Sequence, residues 1–248
     1  MTVDDLEASG EALAQLEEEV RRRVLALPGE DRGSYVGSGL DAANRALARI
    51  RAEGLASGPL FCEWGSGLGG VCGVAAFNGF TTVGIEIQSE LVDAARSMAK
   101  DLALPTVFAE GTFLLPGDEP LAAGTSHTHC TFEHDAWDAL GVTPGDCDIV
   151  FAYPWPGEEA CVDGVFARHA SSGALLLTFH DRDLMLLQRK LPDSENLQSL
   201  GWVSPFATTL NRVVPLPPRP RVISTSISRK STSASSSISM VATIFFGL

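Results

Sequence analysis

The chain has no Cys-x-x-Cys pair, no apolar run long enough to cross a membrane, no internal repeat and no acidic residue after Glu195. Five widely spaced cysteines (Cys62, Cys72, Cys130, Cys147 and Cys161) give neither a disulfide framework nor a paired redox motif. They read as buried free thiols, which suits a reducing compartment. The acidic start, Met1-Thr2-Val3-Asp4-Asp5, lacks the basic and apolar regions of a signal peptide. With no membrane span either, the expected location is cytoplasmic. A basic surplus is also missing. All 31 acidic residues and 13 of the 18 basic ones fall at or before Glu195, leaving −18 there and +5 in the remainder. So acidic a body is a poor ligand for phosphate backbones, which disfavours nucleic acid and suits a cationic or neutral substrate.

What is present is ordinary for a globular protein: 45% hydrophobic and 20% charged residues over 248 positions, enough for one domain with extensions. Leu6, Leu13, Leu16, Val20, Val24 and Leu27 recur at helical spacing, and a second helix is expected from about Leu40 to Glu53. Residues 1–54 thus read as a helical extension, either a cap over a ligand or packing on a sheet edge. From residue 55 to 215, strand-like and helix-like segments alternate five times. The strands run near Pro59–Trp64, Thr81–Ile87, Pro105–Ala109, Asp148–Ala152 and Ala174–Phe179. That alternation predicts an α/β fold, a doubly wound, mostly parallel Rossmann-like sheet with helices on both faces. Residues 113–146 read as loop with a short helix near Trp137–Leu140. Trp202–Pro215 is expected to supply a terminal hairpin. Residues 216–248, proline-rich and then serine-rich, read as a low-complexity, disordered tail.

One stretch carries most of the functional information. Phe61-Cys62-Glu63-Trp64-Gly65-Ser66-Gly67-Leu68-Gly69-Gly70 is a strand, a glycine-rich turn and a helix start. Val83-Gly84-Ile85-Glu86-Ile87 is a second strand ending in a carboxylate, 19 residues after Gly67. Glu86 is placed to accept hydrogen bonds from two ribose hydroxyls. Two cofactor types use this layout. Gly65-x-Gly67-x-x-Gly70 fits the dinucleotide fingerprint. Glu63-x-Gly65-x-Gly67-x-Gly69 fits an acid-x-Gly-x-Gly-x-Gly pattern instead. Glu63 discriminates: a carboxylate at the mouth of the turn repels a pyrophosphate and attracts a ligand carrying a sulfonium and an ammonium.

On these residues the span from about Pro59 to Arg182, half the chain, resembles the core of class I S-adenosylmethionine-dependent methyltransferases. The resemblance implies S-adenosylmethionine as cofactor. Glu63 would face its methionine moiety, Gly65, Ser66 and Gly67 would let the backbone approach, and Glu86 would hold the ribose. Glu110-Gly111-Thr112 stands where such enzymes contact the adenine. Asp148–Pro156 stands where the fourth strand reaches the transferable methyl. Within it, Tyr153-Pro154-Trp155-Pro156 is similar to the Asn/Asp-Pro-Pro-aromatic tetrad of amino-group methyltransferases. Tyr153 replaces the amide or acid and Trp155 the second proline, which speaks against a base-methylating role.

Two prolines after a buried strand fix a rigid turn, and aromatic faces there can hold a flat or cationic acceptor. Tyr153 and Trp155 are therefore the candidate substrate-positioning residues; packing at the sheet edge is the equal alternative. Glu158 and Glu159, opening the next helix, are explained first by the helix dipole and second as groups that orient or deprotonate an acceptor. His127, His129, Cys130 and His134 match no common zinc spacing, so no metal is expected. His180 reads as solvent-exposed. The expectation is a methyltransferase acting on a small molecule or a protein side chain. The alternatives are an NAD(P)-dependent oxidoreductase and a non-catalytic cofactor-binding module.

Overall fold

The computed structural model describes residues 3–27, 39–123, 125, 132, 134–180, 184–192 and 194–203. The elements in chain order are α1 (Val3–Ala26), α2 (Leu40–Ala52), β1 (Leu60–Trp64), α3 (Gly70–Phe77), β2 (Thr81–Glu86), α4 (Ser89–Asp101) and β3 (Thr106–Glu110). They continue with α5 (Glu119–Ala122), α6 (Ala136–Leu140), a 3-10 turn (Pro144–Asp146), β4 (Ile149–Ala152), α7 (Glu159–His169), β5 (Leu175–His180), β6 (Leu184–Lys190) and β7 (Leu197–Val203).

The seven strands form one sheet in the order β3-β2-β1-β4-β5-β6-β7. The first five run parallel, β6 is antiparallel to β5, and β7 is antiparallel to β6. This is the expected doubly wound α/β sheet. The chain winds outward from β1 to β3, then returns to place β4 on the other side of β1. Ligands bind in open α/β sheets outside the carboxyl ends of the strands at such a reversal.

Both faces are covered, because strand residues alternate between them. Phe61, Ile149, Phe151, Leu175 and Leu177 join α2, α3 and α4 in one apolar core. Cys62, Trp64, Val150, Ala152 and Leu176 join α6 and α7 in the other. The N-terminal helices belong to the first core rather than to a sheet edge. Leu16 of α1 is fully buried, and its Cδ2 would lie 2.9 Å from a Cβ at Gly73. Only a residue without a side chain lets α1 approach α3 so closely. Arg23 of α1 is buried and paired with Glu19 and, at 2.6 Å, with Asp101 of α4.

The structure adds to the sequence reading in two places. β6 pairs with β7 in a hairpin not expected from sequence, while residues 204–215 of the hairpin expected over Trp202–Pro215 lie outside the described residues, as does the tail 216–248. β6 opens with Leu184-Met185-Leu186-Leu187, in which only Met185 and Leu187 face the core. Continuous apolarity hides a period-2 pattern. In the segment after β3, the described residues carry the short helix α5 besides the expected one near Trp137–Leu140. Asp118, 1% exposed, accepts hydrogen bonds from Leu115 N–H (3.0 Å) and from Arg168 (2.8 Å), and lies 2.9 Å from His169 Nε2. Burial works to raise the Asp118 pKa, but His169, the Leu115 amide and Arg168 outweigh it and hold it below its ordinary value. This cluster ties the loop to the end of α7.

Candidate functional site

The turn after β1 is built from left-handed residues. Gly65, Gly67 and Gly69 have φ of 70°, 52° and 75°, a region costly for any residue with a Cβ. Ser66 N–H donates to Ile85 O (2.9 Å), and Gly69 N–H to Ser66 O (2.7 Å). A Cβ at Gly69 would sit 2.3 Å from the Phe108 ring, whereas one at Gly65 would meet nothing within 4 Å. The turn is therefore packed from below and open above.

Two carboxylates hold it in place. α3 begins at Gly70 with no side-chain cap from Gly69, so its first amides need acceptors elsewhere. Glu63 on β1 supplies one: Cys72 N–H donates to its Oε2 at 2.9 Å. Glu86 at the end of β2 accepts Gly67 N–H on Oε2 (2.8 Å), and Ile87 and Gln88 N–H on Oε1 (2.8 and 3.0 Å). Glu63 is 3% exposed, and its pKa is pushed up to about 8. Burial is the main cause, Glu86 adds to it, and the bonds with Cys72 oppose it.

These residues line a cleft of about 470 Å³ at the carboxyl ends of β1, β2 and β4. Gly65, Ser66, Gly67 and Gly111 are in its wall, as are Tyr153 and Trp155. Three of its described lining residues are carboxylates (Glu63, Glu86 and Glu158), and none is lysine, arginine or histidine. Two buried polar atoms of residues in the same wall, Ser66 Oγ and Trp64 Nε1, have no hydrogen-bond partner among the described residues. The Trp64 ring is fixed by stacking on Phe113 (centroids 4.7 Å apart, 5° between planes) and by edge contacts with Trp137 and Phe166.

The opposite wall is the turn after β4. Pro154 is buried, Tyr153 packs edge-on against Phe179 at 4.8 Å, and Trp155 is 37% exposed at the mouth. Glu158 is buried and folds back on this turn: Trp155 N–H donates to its Oε2 at 3.1 Å, and its own N–H donates to Trp155 O at 2.8 Å. Glu159 accepts Gly157 N–H in the same manner (2.9 Å). Both acids thus brace the turn that opens α7. Glu158 also reaches the cleft.

Of the residues named from sequence, Glu110 stands apart. It is paired with Glu86 in the sheet register, but it is not among the cleft-lining residues, and its carboxylate lies 3.6 Å from His134 Nε2. His127, His129 and Cys130 lie outside the described residues. Among the described residues no group of three metal-ligating side chains occurs. His180 is not simply exposed: it is half-buried, 2.9 Å from Thr178 Oγ1, and burial pushes its pKa down. Thr112, named from sequence, lines the cleft; sequence reading missed Ile87, Gln88, Leu91, Phe113 and Leu40, all of which line it too. Ile87-Gln88 and Phe113 directly follow residues already named, and that adjacency was the available signal. Leu40 reaches the cleft only through the packing of α2 on α3.

No protein-family model matches the chain, and no curated protein matches it. Solved structures do resemble it. YjhP from E. coli is 21% identical over 55% of this chain and 47% of that one, with a TM-score of 0.36. An O-methyltransferase from Bacillus cereus in complex with SAH is 15% identical over 66% of this chain and 65% of that one, with a TM-score of 0.46. A methyltransferase from Geobacter sulfurreducens is 21% identical over 69% of this chain and 74% of that one, with a TM-score of 0.43. The chain thus spans about half the length of the first of these and 65% of the second.

Proposed function

We propose that this chain is an S-adenosylmethionine-dependent methyltransferase whose acceptor is a small molecule or a protein side chain. The observation that carries the reading is the joint presence of Glu63 and Glu86 in one cleft, beside a glycine turn that is open above. A dinucleotide would place its pyrophosphate at the start of α3. There Glu63 already takes up an amide of the helix, and a phosphate would lie against an acid whose ionisation it opposes. An ammonium and a sulfonium are favoured at that position because they stabilise the ionised acid.

Glu86 is suited to a ribose. Its oxygens hold three backbone amides, two on Oε1 and one on Oε2, which leaves a lone-pair site on Oε2 for a hydroxyl. When bound, the cofactor supplies an electrophilic methyl together with its own leaving group. The work left to the protein is alignment of the acceptor and exclusion of water, and positioning of this kind can be worth roughly 7–11 kcal/mol. Tyr153 and Trp155 are the residues proposed to hold the acceptor against the methyl. The acidic body and the three cleft carboxylates favour a neutral or cationic acceptor over nucleic acid.

Parallel calorimetric titrations with S-adenosylhomocysteine and NAD⁺ test the reading. Binding of S-adenosylhomocysteine alone is expected, followed by transfer of labelled methyl groups into a fraction of cell extract. Binding of NAD⁺ alone would overturn the cofactor assignment. Tight binding with no transfer to any extract would make the chain a binding module.

A further inference from the structure

The cleft joins three carboxylates in a wall with no described cationic side chain. Glu63 is the most deeply buried of them. It is nearly fully buried, and its carboxylate accepts from the amide N–H of Cys72, a neutral dipole. The titratable groups set against it are Cys72 from α3 and Glu86 from β2; Cys62 is its neighbour on β1, with Cys147 beside that thiol. Burial pushes the Cys72 and Cys62 thiols well up, so both are neutral, and Glu86 contributes only repulsion. A buried carboxylate in such company takes a proton unless a positive charge arrives.

We propose that Glu63 is a proton-exchanging counter-ion: it carries a proton in the ligand-free protein and releases it to solvent when a cationic ligand enters the cleft. The proposal rests on the cofactor reading above and adds to it a linkage between ligand charge and pH. Its consequence is selection. A ligand bearing an ammonium or sulfonium at this position gains the ionised Glu63, whereas a neutral isostere leaves the protein with a protonated acid. Affinity for the cationic ligand climbs with pH, close to tenfold per unit while Glu63 is protonated in the free protein.

The test is calorimetric titration of the full chain with S-adenosylhomocysteine at pH 7, in buffers of different ionisation enthalpy. The dependence of the observed heat on that enthalpy gives the number of protons released. With the free pKa near 8, about 0.9 proton is expected at pH 7. Glu63→Gln should abolish the release and flatten the pH dependence of affinity. Binding without proton release would overturn this proposal and leave the cofactor reading standing. Release that persists in Glu63→Gln would overturn it too, by placing the proton elsewhere. Failure of S-adenosylhomocysteine to bind at all would remove the cofactor reading and this proposal with it. If Glu63→Gln does not fold, infrared difference spectra of the unmodified chain decide. Loss of one carboxylic-acid carbonyl band on ligand addition supports the proposal, and an unchanged band overturns it.

Discussion

On the β1–β2 side of the cleft, Glu63 and Glu86 together accept four backbone amides, and a left-handed glycine sits against an aromatic ring. On the β4 side, two prolines and the return bond of Glu158 hold a turn whose tryptophan reaches solvent. The first wall is fixed by backbone groups, which every sequence has, and by acids at set positions. It suits a ligand whose shape does not change. The second wall presents side chains on a stiff frame, so its chemistry can be altered without disturbing the fold. Under the proposed function the first wall is the cofactor half and the second the acceptor half.

Glycine substitutions test that contrast most severely. Gly69→Ala forces a Cβ into Phe108 at φ 75° and should cost about 2–4 kcal/mol of unfolding free energy by urea titration. Gly157→Ala on the other wall has φ 96° and open space around it, so only backbone strain remains, about 1 kcal/mol. Equal costs would mean that the two walls are held alike.

The next effect is on pH dependence. Glu63 has a folded pKa near 8 against an ordinary 4.5, so the folded state binds the extra proton between those values. Stability from this group is therefore complete below pH 4.5 and declines as pH rises through 8. Against Glu63→Gln, the unmodified chain should lose on the order of a few kcal/mol across that window in chemical denaturation. Parallel curves would show that Glu63 is ionised throughout.

Ligand affinity divides the walls more finely. Glu86→Ala should weaken S-adenosylhomocysteine binding by about 10–100-fold, the value of one or two hydrogen bonds to a charged group. Trp155→Ala should change that affinity less than about threefold and stability by less than about 0.5 kcal/mol, since the residue is exposed. Its effect should fall on the KM for the methyl acceptor. A large loss of cofactor affinity in Trp155→Ala would merge the two halves into one site.

Much of the cofactor half is legible in the sequence. Strand and helix boundaries within β1 to β5 follow from apolar runs bounded by glycine, proline and asparagine, and the positions of Glu63, Gly65, Gly67 and Glu86 follow from spacing alone. β6 is not legible, because Leu184–Leu187 is apolar on both faces. The role of Asp118 is not legible either, since its partners lie about 50 residues away in α7.

Local sequence is enough for the layered α/β order and for the acids at the tips of β1 and β2, because periodicity and short turns depend on near neighbours. How deeply each of those acids is buried is settled by packing across the whole fold. Desolvation depends on what lies above and around a carboxylate, here α3, Cys72 and Glu86 about Glu63. Packing also brings Leu40 of α2 and Phe113 after β3 into one cleft with Trp155, a meeting that rests on helix placement and sheet order across more than a hundred residues.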